Sequence, residues 1–294
     1  MAEQQYQSIF RAKLFEDQVI LVTGGGTGLG RCIAHELAAL GAIVVLAGRR
    51  LDVVEDTAAE IVGDGGKAEA VELNIRDQEA VESALADIVS RHGRLDALVN
   101  NAGGQYPGPA EDIRPKGWQA VIDTNLNGTW WVTQAAFSQA LKNSGGAIVN
   151  IVADMWVGMP GMVHTGAARA GIVNLTRSLA SEWAGSNVRV NAVAPGPILT
   201  GGLGTYPEVF QQKIVDEVSV TPASRLGTES EVSAAVVFLL SPAASFISGE
   251  IMRVDGASSY FKNPVLPVGN HAPTPRFDGF HRRPQLGGVF KDYD

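Results

Sequence analysis

The segment 24–30 reads Gly-Gly-Gly-Thr-Gly-Leu-Gly and follows the apolar run 19–23 directly. Glycines at 24, 28 and 30 permit a tight turn and let backbone N–H groups approach an anion. A helix starting there adds the partial positive charge of its N-terminus. Such a turn binds the diphosphate of a dinucleotide, although its T-G-x-x-x-G-x-G spacing differs from the general G-x-G-x-x-G fingerprint. About 20 residues beyond such a turn, these folds place an acid for a ribose 2′-hydroxyl or an arginine for a 2′-phosphate. Here the residues are Gly48, Arg49 and Arg50, and the first carboxylate is Asp52. Guanidinium groups bind phosphate in bidentate fashion. Arg49 and Arg50 therefore predict NADP(H), against the alternative of a solvated surface pair.

The elements that must hold this turn are legible as an alternation. Short β-branched runs at 19–23, 43–47, 70–73, 97–100, 147–151, 188–193 and 251–254 are separated by segments with helical spacing, such as 30–40, 53–61, 80–89 and 172–183. Strands apolar on both faces and separated by helices predict a parallel sheet covered on both sides. Right-handed crossovers then give an α/β fold, a single doubly wound Rossmann-type domain with ligands at the carboxyl ends of its strands. The expected organisation is an N-terminal extension (1–13), this domain (14–256) and a Pro/aromatic-rich C-terminal tail (257–294). The tail holds Pro264, Pro267, Pro273, Pro275 and Pro284 among Tyr260, Phe261, Phe277, Phe280, Phe290 and Tyr293. Disordered segments are usually aromatic-poor, so the tail is expected to pack on its own or a neighbouring subunit, with the lining of a pocket as an open alternative.

The chain has 294 residues, 45% hydrophobic and 18% charged, with a net charge of −8 and no basic run. Nucleic acid and anionic membrane are poor partners for that balance. No apolar stretch reaches the ~20 residues of a membrane span, and neither terminus carries a signal peptide or a peroxisomal or endoplasmic-reticulum address. One cysteine, Cys32, fits a reducing compartment and a structural role. The expectation is a soluble cytoplasmic protein. The five histidines have no ligand spacing, so no metal is predicted.

Further motifs stand in order: Asn100-Asn-Ala-Gly103 after the fourth strand, Asn125 inside a long helical stretch, and Pro195-Gly196 with Thr200 after the sixth strand. With the glycine turn, they make residues 14–256 resemble the short-chain dehydrogenase/reductase family. The resemblance implies a nicotinamide cofactor. Gly24, Thr27, Gly28, Leu29 and Gly30 would face its pyrophosphate and ribose, and Asn74 and Ile75 its adenine. Asn101, Ala102 and Gly103 would lie beside the ribose and Ile198 and Thr200 at the carboxamide, with Pro195 and Gly196 also among the cofactor-binding residues. It also implies a homotetramer paired through the helices around Asn125 and Ile172. Trp118, Trp130 and Trp131 read as core and interface packing.

The same resemblance exposes an absence. The family uses a serine after the fifth strand and a Tyr-x-x-x-Lys pair on the next helix for proton transfer. An asparagine on the preceding helix, here Asn125, supports a water chain. Laid on 148–180, that pattern puts Arg169 at the lysine, Thr165 at the tyrosine, and Ala153 or Asp154 near the serine. No tyrosine occurs between Tyr106 and Tyr206, so a shifted alignment restores none. A threonine hydroxyl is too weak an acid, whereas a tyrosine at pKa ~10 can be tuned downward. Arg169 can hold ribose hydroxyls or an oxyanion but is a poor base.

Residues 101–105, 117–118, 164–171, 174–176, 182–184 and 239–246 are similar to peroxisomal-type trans-2-enoyl-CoA reductase, which shares this departure. The tyrosine proposed as proton donor there falls on Val173 here. In related dienoyl-CoA reductases a loop tyrosine falls on Asp154. The implied activity is reduction of a carbon–carbon double bond conjugated to a thioester. Arg169 and Thr165 would stabilise the enolate oxygen, and water or a protonated Asp154 would supply the α-proton. That role requires burial to raise the Asp154 pKa; otherwise Asp154 is an ordinary loop carboxylate. His164 is a second possible donor, or a packed helix residue. Two alternatives stay open: a reductase or dehydrogenase of acyclic terpenoid alcohols and aldehydes, and a cofactor-binding protein that has lost its chemistry.

Overall fold

All seven apolar runs become strands of one parallel sheet in the computed structural model, which describes residues 5–219, 221–260 and 272–293. In chain order these are β1 (Val19–Thr23), β2 (Ile43–Gly48), β3 (Lys67–Glu72), β4 (Ala97–Asn100), β5 (Gly146–Ile151), β6 (Val188–Pro195) and β7 (Ile251–Val254). The spatial order is β3-β2-β1-β4-β5-β6-β7, with every pair parallel. Strand order reverses between β1 and β4, so the crevice outside their carboxyl ends is where this architecture takes its ligand.

Helices α1 (Gly28–Ala39), α2 (Leu51–Gly63) and α9 (Glu229–Leu240) cover one face through Ile33, Leu37, Val54, Ile61 and Val236. Helices α3 (Gln78–His92), α5 (Gly128–Ala136) and α7 (Val163–Glu182) cover the other through Val81, Leu85, Ile88, Val132 and Leu179. Strand β3 begins three residues before the expected start, at Lys67. Its Lys-Ala-Glu-Ala alternation belongs to an edge strand paired only with β2, where one side meets solvent.

The long helical stretch after β4 is interrupted. Helix α4 (Pro115–Ile122) leads into a π-helical turn, Asp123–Asn127, before α5, and a second π turn, Phe137–Leu141, precedes α6 (Lys142–Ser144). Such turns recur at functional sites, and Asn125 sits fully buried in the first. Between the sheet and its helices runs a buried polar ladder. The Asn100 amide donates to Thr133 Oγ1 (2.7 Å) and Asn150 Oδ1 (2.9 Å), and the Asn150 amide donates to Thr176 Oγ1 (2.9 Å). It ties β4 and β5 to α5 and α7.

The described part of the tail packs on its own chain. Phe280 is buried with Tyr6 and Cys32, and Phe290 lies under α8 (Glu208–Ser219) with Val218 and Leu226. Phe261, Pro264 and Pro267 fall outside the described residues. Trp118 is 41% exposed, and Trp130 and Trp131 are half-buried against the core.

Candidate active site

The glycine turn is held by its neighbour across the sheet. Thr23 Oγ1 accepts N–H groups from Asn101 and Ala102, both at 3.1 Å. The Asn101 side-chain amide donates to the carbonyls of Thr23 and Gly24, also at 3.1 Å. A side chain at Gly30 would put Cβ against the Gly24 carbonyl and the Asn101 amide. Gly24 itself sits at φ +64°, where other residues are strained. The turn therefore cannot be rebuilt with larger residues while it stays closed on β4.

It opens onto a cleft of about 450 Å³. Of the expected cofactor residues, Gly24, Thr27, Arg49, Arg50, Asn74, Ile75, Asn101, Ala102 and Gly103 line it. Arg49 and Arg50 are exposed, and neither is ion-paired among the described residues. Gly28, Leu29 and Gly30 form the turn and first helical residues behind that lining. Thr200 approaches Gly28 from the loop after β6. Ile198 is buried in a parallel bridge to Gly227. Gly196 donates to the Val254 carbonyl, so it and Pro195 are anchored to β7 where the loop leaves the sheet. A dinucleotide fits this arrangement: a Cβ-free turn, a helix N-terminus and unpaired guanidinium groups at the end of β2.

The reactive side is built where three elements meet. Asn125 braces the loop after β4, accepting from the Gly104 N–H (3.2 Å) and donating to the Gly104 and Val121 carbonyls (2.6 and 2.8 Å). Its amide hydrogens are thus committed to backbone. Arg169 comes from α7, and its Nη1 donates to the Ile151 carbonyl at 2.8 Å. An ideal Cβ on Gly103 would lie 2.6 Å from Arg169 Nη2 and 2.9 Å from Asn125 Oδ1, so all three residues converge at one point.

Arg169 is 8% exposed, and no carboxylate pairs with it among the described residues. Burial alone pushes its pKa down to about 10. Its Nε has no hydrogen-bond partner, nor has the Thr165 hydroxyl one turn earlier on α7. His164, also fully buried, accepts the Thr165 N–H at Nδ1 (2.9 Å), and its Nε2 too is unpartnered. Tyr106 packs edge-on against the His164 ring at 4.6 Å.

Asp154, half-buried on the loop after β5, has a raised pKa. Burial is the main cause and Asp255 adds to it, against the Trp156 N–H and Arg253. Its Oδ1 and the Trp156 indole N–H are buried without partners, and Arg253 stacks 4.4 Å above the Trp156 ring. Tyr106, Trp156 and the buried Glu229 on α9 are polar groups of this region that sequence reasoning did not assign to the site. Only Glu229 left a signal, as the residue that the Thr228–Glu231 capping box does not use.

The histidines without ligand spacing are partly gathered by the fold. His35, Asp64 and His281 lie close enough to share an ion. Arg282 already donates to both Asp64 oxygens (3.0 and 2.6 Å), and His281 Nε2 lies 2.8 Å from Asp64 Oδ2, so the cluster serves as a clasp for the tail. No helix among the described residues is long and apolar enough to cross a membrane.

Residues 24–258 match the family described as Enoyl-(Acyl carrier protein) reductase. The Bacillus subtilis (strain 168) protein named Probable 2,4-dienoyl-CoA reductase, (2E)-enoyl-CoA-producing, is 39% identical over 82% of this chain and 96% of its own length. Peroxisomal 2,4-dienoyl-CoA reductase of Rattus norvegicus is 34% identical over 86% of this chain and 88% of its own. The structure of the citronellol catabolism dehydrogenase AtuB of Pseudomonas aeruginosa PAO1 matches with a TM-score of 0.79 at 51% identity, over 86% of this chain and 100% of that one. A Beutenbergia cavernae structure named for an NAD(P) dependent gluconate 5-dehydrogenase, with NADP bound at low occupancy, matches at 0.80 and 34% identity, over 85% and 100%. With this turn, this strand order and these relatives, the chain belongs to the short-chain dehydrogenase/reductase family and is an oxidoreductase of the kind that binds a nicotinamide cofactor.

Proposed function

We propose that the protein is an NADP(H)-dependent reductase of the carbon–carbon double bond in an α,β-unsaturated acyl thioester, such as an enoyl-CoA, or a similarly conjugated carbonyl. The observation that carries this reading is Arg169: a buried guanidinium without a counter-charge, one turn from the unpartnered Thr165 hydroxyl. Buried charge without a partner is costly, and the pair offers two donors to an anion that forms during reaction. An enolate is such an anion, and it needs donors more than a strong acid.

Arg49 and Arg50 would hold the 2′-phosphate, and the glycine turn with Thr27 the diphosphate. A reduced nicotinamide held by these residues would supply the hydride for the substrate β-carbon. The double-bond pair then moves toward the carbonyl, and Arg169 and Thr165 hold the resulting oxyanion. Asp154, whose pKa burial raises, would in its protonated form give its proton to the α-carbon and regain one from solvent. Asn125 keeps the Gly103–Gly104 backbone in place beside Arg169. Homotetramer assembly through α5 and α7 is part of this proposal.

A second reading rests on the 51% identity to AtuB: reduction or oxidation of an acyclic terpenoid aldehyde or alcohol. NADPH consumption with crotonyl-CoA, decenoyl-CoA and citronellal separates the two. Turnover of the thioesters is expected. Turnover of citronellal alone overturns the first reading, and tight NADPH binding with no turnover of any of them points to a cofactor-binding protein without chemistry.

A further inference from the structure

Glu229 is the first residue of α9 and is 4% exposed. Its neighbours Thr228 and Glu231 cap the helix reciprocally, so Glu229 is not used for capping. Both carboxyl oxygens of Glu229 are buried with no hydrogen-bond partner. An ideal Cβ on Gly28 would lie 3.9 Å from Glu229 Oε1 and 4.0 Å from Thr200 Cβ. The acid thus sits directly beneath the glycine turn that faces the cofactor diphosphate.

We propose that Glu229 is a positioning residue for the cofactor: its neutral carboxyl supports a closed, anion-accepting turn, its carboxylate opposes the diphosphate, and cofactor binding at neutral pH therefore takes up a proton. The reading rests on nicotinamide binding at the turn and is independent of the substrate.

The charged groups around Glu229 leave it without a dedicated counter-ion. On α1, Arg31 draws it down, but that guanidinium is held bidentately by Glu60 at 2.8 Å and also donates to the Arg282 carbonyl. Cys32, on the same helix, is a buried thiol whose own pKa is pushed well up. On the tail, Asp278 pushes Glu229 up and is itself paired with Arg283 at 2.8 Å. Arg276 and Arg283 border the same small cavity. From the N-terminal segment, Tyr6 reaches Glu36, not Glu229. The loop after β6 presents Leu199 and Thr200, which do not titrate in the accessible range. Burial dominates and pushes the Glu229 pKa up to about 7.

The sign follows from linkage. A diphosphate across the turn raises the Glu229 pKa further, so affinity is full while Glu229 is neutral. It falls as pH rises through the pKa of the free protein, by at most about tenfold per pH unit for one proton. The test is the NADPH Kd of the full chain by tryptophan quenching, from about pH 6 to about pH 8.5, for wild type and Glu229→Gln, with calorimetry in two buffers of different ionisation enthalpy. The 2′-phosphate titrates alike in both proteins and cancels in the comparison. Expected are a Kd that rises about three- to tenfold more in wild type than in the variant, and net proton uptake near pH 7 in wild type only. Parallel Kd profiles overturn the proposal. So does zero proton uptake by wild type at about pH 8, where the 2′-phosphate is already fully ionised and releases none, a result that stands even if the variant fails to fold.

Discussion

At the cofactor turn, Thr23 and Asn101 use their side-chain donors and acceptors to lock β1 to β4. Beyond β5, buried polar atoms of Asp154, Trp156, His164, Thr165 and Arg169 have no partner. An unsatisfied buried polar group costs roughly 1–3 kcal/mol, so the second region carries a stability penalty that the Thr23–Asn101 lock avoids, Glu229 beneath the turn being the exception on that side. The contrast separates two tasks. A cradle must be rigid before its ligand arrives, whereas a reacting site keeps donors free for charge that exists only during turnover.

The strongest way to break the contrast is at the cradle. Gly30→Ala should open the turn, lower stability by about 1–3 kcal/mol through overpacking, and abolish NADPH quenching at concentrations that saturate wild type. Arg169→Met should do the reverse: kcat falls about 100-fold or more, while the thermal midpoint holds or rises because an unpaired buried cation is gone. A large loss of midpoint would mean that Arg169 is structural.

Asp154→Asn should lower kcat about 10- to 100-fold and remove the alkaline limb of the rate profile. The sign is that of an acid: wild-type activity is full while Asp154 is protonated and declines as pH rises through its raised pKa. Arg49→Asp should shift the NADPH/NADH preference by about 10- to 100-fold in kcat/KM, the worth of a charged hydrogen bond or two. An unchanged preference removes the 2′-phosphate assignment.

The smallest effect belongs to the tail clasp. Burial alone would raise Asp64, but Arg282 and His281 outweigh it and hold its pKa low. Stability from that carboxylate is present above its unfolded pKa and is lost as pH falls through the folded one. Asp64→Asn should cost about 1 kcal/mol, roughly 2–4 °C in midpoint, and expose the Arg282–Arg283 bond to trypsin.

The sheet was legible because its strands are apolar on both faces, and the turn because glycine spacing reports backbone room. What sequence could not show is how distant residues meet. The π turn that aims Asn125 inward shifts the helical phase by about 100°, but the flanking helices of 8 and 9 residues are too short for that shift to show in the apolar pattern. His35 and His281 lie far apart in the chain and become neighbours only when the tail folds back over α1. Arg169 was identifiable by position, but its lack of a counter-charge depends on which carboxylates the fold keeps away. Aromatic content did foretell a packed tail, because Phe280 and Phe290 need burial.

Gly103 has a consequence for the history and redesign of this pocket. With Arg169 Nη2 and Asn125 Oδ1 both occupying the space a side chain would take, positions 103, 125 and 169 form a single epistatic unit. A methyl group at 103 needs both the Arg169 head group and the Asn125 side chain to give way, so shortening residue 169 alone does not release the demand for glycine at 103. Libraries that vary the three together will find functional combinations that single-site scans miss.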